Sequence, residues 1–234
     1  MCAHYETVRR TREKFREIFD VTWPAQEPKP DMWPNYEGLF IRRPPEIESG
    51  DEAVPAREAV VGRWGLVSAL TKGAGLEKAL KLSTFNARDD RVAASFTFSN
   101  AWRRGQHCIV PAEAIYEPDY RVGDGKKSRP ARIWRSDGEP MGIAGLWDQW
   151  TDAAGVRRLS YTMLTVDACG HEVFKHYHKS AEKRQVVVLP ESLYDAWLDA
   201  KPDRSKDLLM QLPADRFSAL TAPPAALGPE ASLL

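Results

Sequence analysis

The chain has 234 residues, with 33 Lys and Arg against 33 Asp and Glu, so its formal charge is zero. With 43% hydrophobic and 28% charged residues and 8 Trp, 7 Tyr and 8 Phe, the composition excludes a disordered, collagen-like or low-complexity protein. A chain of this length buries roughly 70% or more of its unfolded surface, so a core forms without disulfide staples. Neutral charge argues against a generically basic nucleic-acid coat but leaves room for a local basic groove. Three scattered cysteines, Cys2, Cys108 and Cys169, do not form a secreted disulfide framework. The first twenty residues are too charged for a signal peptide, and no apolar run is long enough to span a membrane. The expectation is a cytoplasmic protein with no membrane association.

In chain order, residues 6–19 predict a short amphipathic helix with Val8, Phe15, Ile18 and Phe19 as its contacts. Four prolines make residues 21–35 an ordered loop. Residues 36–44 and 57–70 are strand-like, separated by an acidic turn, and 81–88 is a further strand. A helix is expected over 90–98. Strands follow at 108–118, 130–134, 141–150 and 157–166, with a hairpin loop at 123–129. Residues 186–189 form a buried strand, 191–200 and 203–211 helices, and the Pro/Ala-rich tail from Thr221 is loose. Many short strands and few helices indicate one α+β domain over 1–220, built on a mixed, largely antiparallel, barrel-like sheet with flanking helices. A monomer is expected.

Cys2 follows Met1. Removal of Met1 would leave an α-amine and a thiol on adjacent carbons. An α-amine titrates near pH ~7.8, against ~10.4 for lysine, so about a quarter of it is neutral at pH ~7.4. Such an amine attacks an aldehyde to give a Schiff base, and the adjacent thiol can close a five-membered thiazolidine.

Seven blocks in order resemble the SOS-response-associated peptidase (SRAP) family, the abasic-site processing proteins. They are Met1-Cys2, Arg63-Trp64-Gly65-Leu66, Phe85-Asn86-Ala87-Arg88, Cys108 to Ala112 with Tyr116-Glu117, Ala144-Gly145-Leu146-Trp147, Thr162 to Thr165, and His178 with Arg184 ahead of Val186 to Leu189. The resemblance implies a domain that binds single-stranded DNA carrying an abasic site and captures its aldehyde as a thiazolidine cross-link, after autoproteolytic removal of Met1. Cys2 would be the nucleophile, and Glu117 the general acid/base. His178 would help open the sugar, and Asn86 would orient amine and sugar. Arg63, Trp64, Arg88, Trp147, Thr165 and Arg184 would contact DNA, Arg88 as a forked phosphate donor and the tryptophans as stacking faces or pocket walls. No cofactor or metal is implied.

The chain departs from the family pattern at Ala3-His4, where Gly-Arg is usual, and at Val67 to Leu70, which lacks a usual Pro and Trp. Residues inserted after His178 make His176 its rival for the catalytic position. Read without the resemblance, Glu117 ends an apolar strand at Pro118, a residue expected to stop the ladder and leave the carboxylate at a strand mouth. Arg103-Arg104, Lys126-Lys127 with Arg129, and Lys179 with Lys183-Arg184 are candidate phosphate-binding clusters. The alternatives are a zinc-dependent hydrolase built on Cys169, His171, His176 and His178, a thiol hydrolase using Cys108 or Cys169, and a nucleic-acid-binding module without chemistry.

Overall fold

The computed structural model describes residues 2–122 and 125–222. Its strands, in order, are β1 (Tyr5–Glu6), β2 (Asp31–Met32), β3 (Glu37–Arg42), β4 (Glu58–Trp64), β5 (Asn86–Arg88), β6 (His107–Ala112) and β7 (Ala114–Asp119). There follow β8 (Arg129–Arg135), β9 (Met141–Thr151), β10 (Arg157–Asp167), β11 (Arg184–Val186), β12 (Val188–Leu189) and β13 (Phe217–Thr221). The α-helices are short: α1 (Arg12–Phe19), α2 (Gly75–Leu80), α3 (Ser99–Arg103) and α4 (Tyr194–Leu198).

Strands β4, β3, β6, β9 and β10 pair in that order, and β10 closes the circle by pairing parallel with β4. The result is the expected α+β, barrel-like single domain. A second, antiparallel sheet has the order β13-β8-β7-β1-β2. Side chains on successive residues of a strand point to opposite faces. On β3, Phe40 enters one hydrophobic cluster with Trp64, Val110 and Tyr161. Its neighbours Leu39 and Ile41 enter the other, with Phe15 and Phe19 of α1 and Trp197 of α4. Both faces are thus covered, which is why these strands read as continuous apolar runs rather than as alternation.

Several sequence boundaries are corrected by this arrangement. The helix predicted over 6–19 is confined to α1. Thr11 caps it by accepting from the Lys14 N–H at 3.2 Å, and Asp20 ends it in a left-handed conformation. Residues before it instead form β1, where Tyr5 and Glu6 pair with β7 and β2. The single strand predicted over 108–118 is two, β6 in the barrel and β7 in the second sheet, with only Glu113 between them. The run 186–189 is likewise split: β11 pairs with β10 and β12 with β9, around Val187. Residues 81–88 contribute only the short β5, after the unpredicted helix α2, and the helix predicted over 90–98 lies later, as α3. The 203–211 helix is a 3-10 turn at Ser205–Leu208. Thr221, assigned to a loose tail, completes β13 opposite Ala131. The rest of the predicted tail from 223 lies outside the described residues.

Pro118 does not stop β7. It faces Pro130 across the ladder, and the strand continues to Asp119. Its carbonyl turns outward and accepts from the His178 N–H at 3.0 Å. A proline at such an outward-facing position removes no ladder bond.

Candidate functional site

The N-terminal segment is held as an added strand on β7. Tyr5 lies opposite Ile115 and Glu6 opposite Ala114. The His4 carbonyl accepts from the Tyr116 N–H at 2.9 Å. Running antiparallel, the chain therefore leads back from β1 toward Glu117. Cys2 ends up 1% exposed, in the core cluster that holds Tyr5 and Trp64. Its Sγ donates to the His4 carbonyl at 3.4 Å. From β5, the Asn86 Nδ2 donates to the Cys2 carbonyl at 2.6 Å. This fixes the nucleophile's backbone from the barrel side.

Glu117 is also 1% exposed and forms an ion pair with His178, Nε2 to Oε2 at 2.7 Å. Burial, then the negative charge of Glu117, push the Cys2 thiol well above its usual range. This environment favours the neutral thiol over the thiolate. His178 adopts a left-handed backbone, φ 63°, a conformation that costs a non-glycine residue roughly 1–2 kcal/mol. Lys183 stabilises it by donating from Nζ to the carbonyls of Tyr177 and His178 at 3.0 and 2.6 Å. The Lys183 contribution was not legible in the sequence, where this residue reads as part of a basic cluster. His176 ends a 3-10 turn, exposed to solvent, so His178 is the histidine brought to Glu117.

Four of the expected residues, Cys2, Asn86, Glu117 and His178, thus share one locus. Three more lie beside Asn86 on the β5, β10 and β11 ladders. Thr165, opposite Arg88 and Val186, is buried and donates to the Ala87 carbonyl at 3.3 Å. Arg184 binds Asp89 and the Thr165 carbonyl. Arg88 forms a fork to Asp90 at 2.9 and 2.7 Å and reaches Glu182 at 2.6 Å. A phosphate could reach Arg88 only by exchanging with these carboxylates.

The remaining expected DNA contacts are already engaged within the protein, Trp64 buried and Arg63 and Trp147 half-buried. Trp64 is fully buried, with Nε1 donating to the Phe85 carbonyl at 2.9 Å. It is a wall of the core and presents no stacking face. Arg63 is committed to the Gly65 and Leu80 carbonyls, each at 2.6 Å, and to the Asn35 side chain. Trp147 lies under the Arg42 guanidinium, 4.1 Å from its ring. Of the basic clusters, the third loses two members, since Lys183 and Arg184 serve the fold.

The zinc alternative is corrected by geometry. His171 uses Nδ1 to accept from the Val173 N–H at 3.1 Å, and its Nε2 lies 3.0 Å from the Leu212 carbonyl. His178 faces Glu117, and among the described residues no His, Cys, Asp and Glu side chains gather as a metal cluster. Cys108 is buried with its thiol pushed far up by desolvation, so it is an inert core residue rather than a nucleophile. Among the described residues no helix is long and apolar enough to cross a membrane.

A barrel whose added N-terminal strand buries a cysteine against a Glu–His pair defines the class, and sequence comparison agrees. The profile of the SOS response associated peptidase (SRAP) family matches residues 1–224, and the chain belongs to that family. A crystal structure of a protein from Bordetella bronchiseptica is similar, with a TM-score of 0.86 and 45% identity over 95% of this chain and all of that one. One from Bacteroides thetaiotaomicron, at 18% identity, shares the fold with a TM-score of 0.74 over 95% of this chain and 93% of that one. Curated relatives are the abasic site processing proteins HMCES of Gallus gallus, 30% identical over 58% of this chain, and of Rattus norvegicus, 28% identical over 46%. The matched regions cover 44% and 36% of those proteins, so this chain spans less than half the length of the curated relatives it matches.

Proposed function

We propose that this chain processes abasic sites in DNA by covalent capture: Cys2, made N-terminal by loss of Met1, traps the aldehyde of an abasic site in single-stranded DNA. The relatives named for abasic-site processing support the substrate class. The observation that carries the chemistry is the pinning of Cys2 between Asn86, at 2.6 Å, and the Glu117–His178 pair. The chemistry proposed calls for no cofactor or metal, and the reading takes the protein as a monomer on DNA.

The α-amine, partly neutral near pH ~7.4, reacts first. The neutral α-amine attacks the aldehyde carbon and forms a carbinolamine, which loses water to give an imine. Glu117 and His178, 2.7 Å apart, move the protons of these steps, the acid of the pair protonating the departing hydroxyl. The thiol then adds its sulfur to the imine carbon, and its proton passes to the imine nitrogen. The product is a thiazolidine, with no further atom lost. Asn86 holds the Cys2 carbonyl and so steadies the residue that carries both nitrogen and sulfur.

Incubation with abasic single-stranded DNA and denaturing electrophoresis tests this. Protein whose intact mass lacks Met1 should give a heat-stable adduct. Cys2→Ser should keep the amine and yield only an imine, visible after borohydride reduction. An unmodified Met1, or the same heat-stable adduct from Cys2→Ser, would overturn the mechanism.

A further inference from the structure

His4 stands where the resemblance leads one to expect arginine, and its ring is built into a stack. The imidazole lies between two aromatic rings: Trp33 at a centroid distance of 4.1 Å and 9°, and Tyr116 at 4.2 Å and 8°. Three rings this nearly parallel, each at base-stacking separation, are unusual for side chains, which favour offset or edge-on contacts at longer range.

The stack is anchored at its central ring, His4, and at one end, Tyr116. His4 Nε2 lies 2.9 Å from Asp31 Oδ1. The Tyr116 hydroxyl donates to Glu6 at 2.5 Å, and Glu6 is in turn held by Arg132 through two bonds of 2.9 Å. The other end is open: Trp33 is 46% exposed, although it is one of the largest apolar side chains. The stack is also tied to the nucleophile. The His4 carbonyl accepts from both the Cys2 thiol and the Tyr116 N–H. Ala3, His4, Trp33, Tyr116, Pro118 and Pro130 line a cleft of about 320 Å3 that also reaches Glu117. Ser128, the sequence neighbour of exposed Lys127, also lines it.

We propose that the Trp33–His4–Tyr116 stack is a platform on which a nucleobase flanking the lesion in single-stranded DNA stacks, extending three protein rings by a fourth. The proposal rests on the DNA reading above and adds a specific contact to it. It also explains two departures together. Val67 to Leu70 offers no tryptophan, and Trp64 is buried, so the stacking face lies instead on the segment before β3. A base has an apolar π-face irrespective of its identity, so the platform tolerates any sequence but requires a neighbour beside the abasic residue.

The test uses an oligonucleotide with a tetrahydrofuran spacer, which carries no aldehyde and cannot cross-link. Affinity is read by fluorescence anisotropy for wild type, Trp33→Ala and Trp33→Phe. A second oligonucleotide carries spacers at both flanking positions as well. Trp33→Ala should weaken binding to the first by about 5- to 150-fold, the range for loss of one stacked base, with Trp33→Phe keeping most of the affinity. On the second oligonucleotide wild type and Trp33→Ala should bind alike. Equal affinity of Trp33→Ala and wild type for the first, or an undiminished loss on the second, would overturn the platform. If wild type still forms its adduct with abasic DNA in those cases, only the platform falls. Failure of wild type both to bind and to form an adduct would remove the DNA reading with it.

Discussion

Glu117 has reached near-complete burial beside Cys2, whose thiol burial first and the Glu117 charge second push upward, and little in the local sequence explains its place. Tyr116-Glu117-Pro118 reads as the end of a strand, whereas the strand passes through Pro118 and uses that residue's carbonyl to seat His178. Two polar partners 2.7 Å apart can exchange a proton without first ordering a water between them. Glu117→Gln is isosteric and removes the base alone. It should slow Met1 release or adduct formation by about 10²- to 10⁴-fold while the melting temperature changes little. His178→Ala should reduce the adduct rate, and His176→Ala, at an exposed turn, should leave it near wild type. Time courses on denaturing gels check all three; a His176→Ala defect matching that of His178→Ala would reverse the assignment. At this scale the identities of Cys2, Asn86, Glu117 and His178 were legible through the resemblance. The His4 stack was not, because it joins segments far apart in sequence; nor was Lys183, because nothing in the sequence marks the return of the loop that brings its ammonium to the carbonyls of Tyr177 and His178.

At the scale of elements, strand content was legible and strand partition was not. Apolar runs reveal β-branched and aromatic character, but a run carries no mark where the chain leaves one sheet for another. Hence 108–118 and 186–189 each read as one strand and are each two. The longest strands show the reason. β10 pairs with β4 through Ser160 and Tyr161, then with β5 from Met163 to Thr165, while its other edge passes from β9 to β11. Such partner changes depend on tertiary register. Gly38, on β3, shows how tightly that register is built. A Cβ there would lie 2.3 Å from the Tyr161 hydroxyl and 2.9 Å from that of Tyr5, two groups that hydrogen-bond at 2.6 Å. Tyr5 belongs to β1, the strand that delivers Cys2. Gly38→Ala should therefore cost about 1–3 kcal/mol by overpacking, read from urea unfolding, and should also slow adduct formation. Adduct formation at the wild-type rate in a destabilised Gly38→Ala protein would show that β1 does not depend on this contact.

For the molecule as a whole, a formal charge of zero hides a stability that depends on pH. His107, at the start of β6, is buried against Trp197 of α4, with ring centroids 4.2 Å apart, and its Nε2 lies 2.9 Å from Ser205 Oγ. It thereby fastens the segment after β12 to the barrel. Burial lowers its pKa to about 4 from the usual value near 6.5. Between those two values the unfolded chain binds a proton that the folded chain refuses, so folding stability falls as pH drops through this window. A displacement of this size corresponds to about 3 kcal/mol lost by pH ~4. A second acid limb lies lower. Arg121 holds the Asp119 carboxyl well below the carboxylate range, and Arg132 lowers that of Glu6, so their contributions persist above the unfolded carboxylate value near 4 and are lost below it. His107→Gln keeps a polar group beside Ser205 but cannot charge. Urea midpoints measured from pH ~7 to ~4 should decline for wild type and stay nearly flat for His107→Gln, with the same collapse in both below pH ~4. A variant that declines as steeply as wild type would place the titrating group elsewhere.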